Sequence, residues 1–310
     1  MKAVLIFPGQ GAQQVGMGQD LCAAFPAARE MMQQADAALG TPLTEVMFKG
    51  PDEELTRTCH CQPALYLHGV VLWQLLKEMV DVQPVASAGL SLGEFTAHAV
   101  AGTFDWQEGL KLVQKRGSYM EEACQAAAGS MAALIGGSPE AADKLAADCD
   151  VDVANLNCPG QIVLSGSVEG IDKAVAGARA AGFKLAKKLN VAGAYHSRFM
   201  QSAQTKLQPD LQALDIRTPQ FPVYSNFGGR PVEGPEDIRA MLGGQVCGTV
   251  RWQTCMEDLV QRGERLFIEL GPGKVLAGLM SRICKDAVVL SVSDVASLEE
   301  AAAKLREMQG

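Results

Sequence analysis

The sequence predicts an α/β fold: a large domain built on a parallel sheet, interrupted by a small domain of order βαββαβ. Three observations predict it. Short apolar runs near both ends of the chain are each followed by a helical segment. A different order of strand and helix signals fills the middle. One early strand passes directly into Gly89-Leu90-Ser91-Leu92-Gly93 and then into a helix.

Taken in order, residues 3–7 are a short buried strand, followed by a turn rich in glycine and glutamine. Residues 64–72 form an apolar helix, and residues 85–88 are the strand that meets the Gly-Ser-Gly turn. Helical periodicity resumes over 95–101 and again over 106–123. The middle then changes character. Residues 131–135 are a strand, and Ser138-Pro139-Glu140 starts a helix with an N-cap serine and a proline at its first position. Strands follow at 151–156 and 161–164, Ser167 opens a second helix, Gly182 closes it, and 183–189 is a last strand. That order is the ferredoxin-like split unit. The expected division is a large domain from residues 1–128 and 191–310 and an inserted domain over 129–190, with a cleft between them. The chain ends with strands at 265–270 and 287–292 around a helix that begins at Lys274.

Composition narrows the function. A hydrophobic content of 48% with 20% charged residues suits a globular protein with a real core. The apolar run at 3–7 is too short for a signal peptide or a membrane span, and no later stretch approaches ~20 apolar residues. The expected place is the cytoplasm, or an organelle stroma after removal of a transit peptide. Nine scattered cysteines suit a reducing compartment. Cys59-His60-Cys61 resembles half a metal site, but no second pair stands at ligand spacing. A net charge of −8 argues against nucleic acid as the partner, though it leaves room for a local basic patch.

Gly89-Leu90-Ser91-Leu92-Gly93 fits a nucleophile elbow of the α/β-hydrolase kind. The serine is exposed at a tight strand-to-helix turn, and the Leu92 amide sits at a helix N-terminus where it can hold an oxyanion. The same residues also suit a plain turn with a serine N-cap. Four histidines compete to be the base. His60 lies between cysteines and His68 on the apolar helix. His98 is two turns beyond Ser91, about 10 Å along the axis. His196 opens a helix after a small-residue loop where the inserted domain returns to the large one, so it is the candidate. No acid between Ser91 and His196 suits a triad, because most lie on solvent-facing helices of the inserted domain. A main-chain carbonyl can orient the imidazole instead.

Arg116 lies on the apolar side of its helix with Leu112, Val113, Tyr119, Met120 and Ala123. A guanidinium there needs an anion, either an internal carboxylate or the free carboxylate of a substrate. With the elbow, the second choice points to acyl transfer to a substrate carrying a second, free carboxylate.

These residues resemble a known family, the malonyl-CoA:acyl carrier protein transacylases and the acyltransferase domains of polyketide synthases. The resemblance runs nearly end to end, through Phe7-Pro8-Gly9-Gln10-Gly11-Ala12-Gln13, Gln62-Pro63-Ala64, Gly89-Leu90-Ser91-Leu92-Gly93-Glu94, Arg116-Gly117, Gly129-Ser130-Met131, Asn157-Cys158-Pro159-Gly160-Gln161, Ala194-Tyr195-His196-Ser197, Gln245 and Glu269-Leu270-Gly271-Pro272-Gly273-Lys274. It implies Ser91 as the acylated nucleophile, His196 as base and acid, and the Gln245 backbone carbonyl as orienting group. The Gln10 and Leu92 amides become the oxyanion hole and Arg116 the carboxylate clamp. Gln10, Gln62 and Asn157 are further substrate contacts. Leu90 stands where many members have histidine. The implied reaction is ping-pong malonyl transfer from malonyl-CoA to a carrier protein's phosphopantetheine in fatty acid biosynthesis, with no bound cofactor or metal, by a monomer. Lys184, Lys187, Lys188, Arg198 and Lys274 are candidate guides for an acidic carrier. A serine esterase or thioesterase shares the elbow but has no need of Arg116. An inactive carrier-binding module has no need of the intact Ser91, His196 and Arg116 set.

Overall fold

The computed structural model describes residues 1–309. The strands, in chain order, are β1 (Lys2–Phe7), β2 (Gln83–Gly89), β3 (Gly129–Ile135), β4 (Asp152–Cys158), β5 (Gln161–Ser167), β6 (Leu185–Lys188), β7 (Tyr224–Ser225), β8 (Arg230–Pro231), β9 (Leu266–Leu270) and β10 (Val288–Val292). They form a four-stranded parallel sheet of order β10-β9-β1-β2, a four-stranded antiparallel sheet of order β4-β5-β3-β6, and the β7/β8 ribbon. The fold is mixed α/β.

β1 shows why the first sheet is central. Its residues alternate between two cores, with Leu5 and Phe7 in one and Val4 and Ile6 in the other. A strand covered on both faces must be apolar throughout, and residues 3–7 are. On one side the long helix Thr58–Met79 packs against Trp106–Ala126. The helices Trp252–Gln261 and Val275–Ile283 cover the other.

In the antiparallel sheet, Ala132 and Leu134 of β3 and Ile162 and Leu164 of β5 face the helices Pro139–Cys149 and Val168–Gly177 in a separate core. The alternate residues Met131 and Val163 face the opposite way, toward the main body. Both helices start as expected: Ser138 accepts from the Ala141 amide and Ser167 from the Gly170 amide.

Some boundaries differ from the sequence pattern. The strand expected over 183–189 is shorter, Leu185–Lys188, an edge strand against β3, with the Lys184 and Leu189 amides donating to Ile135 and Met131 at its two ends. Val275–Ile283 is the expected helix, with Lys274 as its N-cap residue. His196 does not open a helix. It sits at φ 55°, in the left-handed region, and a short 3-10 turn, Arg198–Met200, begins after Ser197.

Candidate active site

The parallel register sets the floor of the site. Phe7 pairs with Gly89, so β1 and β2 end at the same level and their continuations turn together. Ligands of such sheets collect at the strands' carboxyl ends. The turn after β2 is so tight that a side chain at Gly89 would come within 1.9 Å of the Gly93 carbonyl carbon. One at Gly93 would meet the Phe7 oxygen at 2.2 Å. Ser91, between them, holds φ 54° and ψ −106° before the helix Leu92–Val100 begins. A non-glycine residue in that region is strained and needs support. Asn226 provides it: its Oδ1 accepts from the Ser91 amide at 2.6 Å, and its Nδ2 donates to the Gly89 carbonyl at 2.8 Å.

His196 arrives from the loop after β6. Its Nδ1–H donates to the Gln245 backbone carbonyl at 2.8 Å, which leaves Nε2 as the acceptor for Ser91 Oγ at 2.7 Å. Burial, and then the nearby Arg116 charge, push the imidazole down to about 4, so it is neutral and basic near neutral pH. The other histidines lie apart. His98 Nδ1 meets Thr103 Oγ1, His60 meets Glu54, and His68 is buried in the core without a hydrogen-bond partner.

Arg116 is 1% exposed, on the buried face of Trp106–Ala126 and 5.1 Å from the Phe95 ring centre. Nη1 donates to Gln62 Oε1 at 2.6 Å. Nη2 donates to Gln245 Oε1 at 2.8 Å and to Ser91 Oγ at 3.2 Å. All three acceptors are uncharged, Nε has no partner, and no carboxylate forms an ion pair with Arg116 among the described residues. Burial lowers its proton affinity to about 10, against the opposing pull of Glu94. A buried guanidinium beside the serine, satisfied only by neutral groups, is a site for an anion.

Leu92 is the first residue of its helix, so its amide has no acceptor within that helix. The Gln10 amide donates to no backbone group. Both residues stand three positions beyond the paired Phe7 and Gly89. The Gln10 side chain leans toward Thr58 and Tyr195, whose hydroxyls lie 2.6 Å from each other. Above this floor opens a cleft of about 490 Å³. One wall comes from the main body (Gln10, Gln62, Leu279) and the other from the antiparallel sheet (Met131, Asn157, Val163).

Of the predicted residues, the fold thus brings together Ser91, His196, Arg116, Gln62, Gln245, Gln10 and Leu92. Asn157 stands on the facing wall, on β4, with its Oδ1 unpartnered. Two others were missed. Asn226 carries no local signal. Glu94 carried one, an acid among apolar residues of a short helix, the same cue that marked Arg116. Glu94 is fully buried, and its Oε2 accepts from the Asn226 amide at 2.9 Å and from Gln245 Nε2 at 2.6 Å. Of the basic residues considered for docking, Arg198 pairs with Asp150 and Asp152 and Lys188 with Asp172. Cys61 Sγ donates to Gln13 Oε1 and His60 turns to Glu54, so the half-site pattern is spent on separate contacts.

Residues 4–306 match the acyl transferase domain family. The chain is 39% identical to the malonyl CoA-acyl carrier protein transacylase of Bacillus subtilis, over 99% of this chain and 98% of that one. It is 36% identical to the protein of the same name from Escherichia coli, over 96% and 97%. The solved transacylase of Coxiella burnetii superposes with a TM-score of 0.94 at 33% identity, covering 98% of both chains. A malonyl-transacylase solved with a type II polyketide acyl carrier protein gives 0.94 at 35% identity, covering 98% of this chain and all of that one. Matched along its whole length in sequence and in fold, this chain belongs to the malonyl CoA-acyl carrier protein transacylases of the acyl transferase family.

Proposed function

We propose that this chain transfers malonyl groups from malonyl-CoA to the phosphopantetheine thiol of an acyl carrier protein, through an ester on Ser91, in fatty acid biosynthesis. One observation carries the reading: Ser91 Oγ lies between a neutral imidazole at 2.7 Å and, at 3.2 Å, a buried guanidinium whose hydrogen-bond partners are all uncharged. A malonyl ester has one methylene between its acyl carbon and its carboxylate. A guanidinium in reach of Oγ is therefore in reach of that carboxylate.

In the first half-reaction Ser91 Oγ attacks the thioester carbon and its proton passes to His196 Nε2. The Gln10 and Leu92 amides hold the oxyanion while the C–S bond breaks, and His196 returns the proton to the departing thiolate. The second half is the reverse with a new thiol: His196 deprotonates phosphopantetheine, its sulfur attacks the ester, and Ser91 leaves with the proton. The Gln245 carbonyl stabilises the imidazolium that forms each time. The pantetheine arm enters along the cleft, past Gln62 and Asn157. The arm and the two walls keep out the water that would otherwise release malonate. Ser91, His196 and Arg116 act through their side chains, and Gln10, Leu92 and Gln245 through main-chain groups.

The same reading takes residues 1–128 and 191–310 as an α/β-hydrolase-like domain and residues 129–190 as a ferredoxin-like insertion. Its strand order, β4-β5-β3-β6, supports the second name. It takes the enzyme as a cytoplasmic monomer; no helix among the described residues is long and apolar enough to cross a membrane.

Mass spectrometry of the intact protein with malonyl-CoA tests the reading. The expected result is a lasting adduct of malonyl mass, absent from Ser91→Ala and discharged by added holo-carrier protein. Steady release of free malonate instead would make the chain a hydrolase.

A further inference from the structure

Glu94 has no part in that mechanism, yet among the described residues it is the one acidic side chain hydrogen-bonded to Gln245. Its carboxylate is fully buried. Oε2 accepts from the Asn226 amide and from Gln245 Nε2, the Ser225 side chain lies beside the carboxylate, and Oε1 has no partner at hydrogen-bond distance. The Gln245 side chain passes the connection on: its Nε2 also donates to the Ser91 carbonyl, and its Oε1 accepts from Arg116 Nη2. An anion and a cation are thus held apart by one amide, whose dipole points its oxygen at the cation and its hydrogens at the anion.

We propose that Glu94 is a specificity-determining residue, the counter-anion of Arg116 in the empty site, which yields that role to the substrate's carboxylate by taking up a proton from solvent. The proposal rests on malonyl transfer as the reaction. Its physical basis is charge balance in a dry site. Arg116 with ionised Glu94 is neutral overall. A malonyl carboxylate would make the cluster a net anion, unless Glu94 is neutralised at the unpartnered Oε1. An acetyl group makes no such demand.

The surroundings leave Glu94 as the group that responds. It faces Ser225 and Asn226 of and after β7, Gln245 at the end of Pro235–Gln245, Arg116, and Cys255 of Trp252–Gln261. Burial pushes the Cys255 thiol far up, so it stays protonated, and His196 is already neutral. Burial likewise raises Glu94 to about 7, against the lowering pull of its hydrogen bonds and of Arg116. It therefore changes charge near neutral pH.

The test is the ratio of malonyl-CoA to acetyl-CoA specificity constants for acylation of Ser91, measured against pH. Titration of His196 and of coenzyme A is common to both substrates and cancels. In the native enzyme the ratio should fall about fivefold or more as Glu94 ionises between about pH 6 and about pH 8.5. Glu94→Gln keeps one oxygen for both hydrogen bonds and loses only the charge. Its ratio should stay level and exceed the native one at the alkaline end. A residue that merely held Asn226 and Gln245 in place would leave the pH dependence of this ratio untouched. If the variant does not fold, proton uptake by the native enzyme decides: malonylation at about pH 8 should absorb up to about one proton more than acetylation. A native ratio flat with pH, a variant with the native slope, or no extra proton would each overturn the proposal. Failure of malonyl-CoA to acylate Ser91 at all would instead remove the transfer reading beneath it.

Discussion

Arg116 and Asn226 act on Ser91 in different ways, and substitution should separate them. Arg116→Ala removes the charge that faces the acyl group's carboxylate. A charge-assisted hydrogen bond is worth about 1.5–3 kcal/mol. The malonyl specificity constant should therefore drop about tenfold to a hundredfold relative to acetyl. Equal losses for both substrates would make Arg116 a packing residue. Asn226→Ala removes the acceptor of the Ser91 amide and the donor to Gly89, which together hold the elbow at its positive φ. It touches no part of the acyl group. Single-turnover acylation should slow about tenfold, from about 1–2 kcal/mol of lost positioning. The malonyl-to-acetyl ratio should stay where it was, and a changed ratio would place Asn226 against the substrate.

The two elements that carry the chemistry are held with different tolerance. The β2-to-helix turn has no slack, since backbone lies 2.2 Å from where a Gly93 side chain would begin. Gly93→Ala must push β1 and the helix apart. It should cost more than about 4 kcal/mol, seen as loss of soluble protein or of the cooperative transition. The helix Trp106–Ala126 is more forgiving. Its N-cap Asp105 accepts from the amides of Gln107 and Glu108, and Arg116 lies well inside the helix. Asp105→Ala should cost about 1 kcal/mol, a fall of about 2 °C in Tm. Specific activity at moderate temperature should be unchanged; a large loss would mean that fraying at the cap reaches Arg116.

Stability of the whole chain should depend on pH through its buried titratable groups. Burial holds His68 at about 4, His98 at about 3 and His196 at about 4, each from 6.5. As pH falls through that window the unfolded chain takes up protons that the native chain refuses, so each histidine lowers stability. Glu94 works the other way. Raised to about 7 from 4.5, it holds a proton in the native state that the unfolded chain lacks, and so adds stability as pH falls from 7. Glu269, buried and raised like Glu94, acts in the same direction, so three histidines against two carboxyls leave a net of about one to two protons near pH 5.5, or about 1–3 kcal/mol per pH unit. The urea midpoint should therefore drop steeply between pH 6.5 and 5 at constant m-value. A flat midpoint would mean these histidines are hydrated in the folded protein.

What the sequence determined by itself was local. Residues 3–7 are apolar without a break because β1 is covered on both faces, so that strand was legible. Ser138 and Ser167 are caps whose bonds span three residues, so the helix starts were legible too. The Gly-Ser-Gly turn declared its strain, because only glycine admits backbone so close on either side of Ser91. Arg116 stands out in the sequence as a charge on an apolar stripe, but whether an internal acid meets it is not written there. Only the tertiary structure decided that its partners are neutral and that Glu94 stands one side chain away. It also decided that Asn226, 135 positions along the chain from Ser91, clamps the elbow. The sequence offers His196 as the base but does not display its left-handed backbone or the absence of a helix at that point. They follow from where Ser91 and the Gln245 carbonyl lie, 105 and 49 positions away. Periodicity, caps and turns are governed by neighbours within a few residues, and a sequence displays those directly. Hydrogen bonds that close a buried site join positions whose separation has no period, so their partners are chosen only when the strands and helices pack.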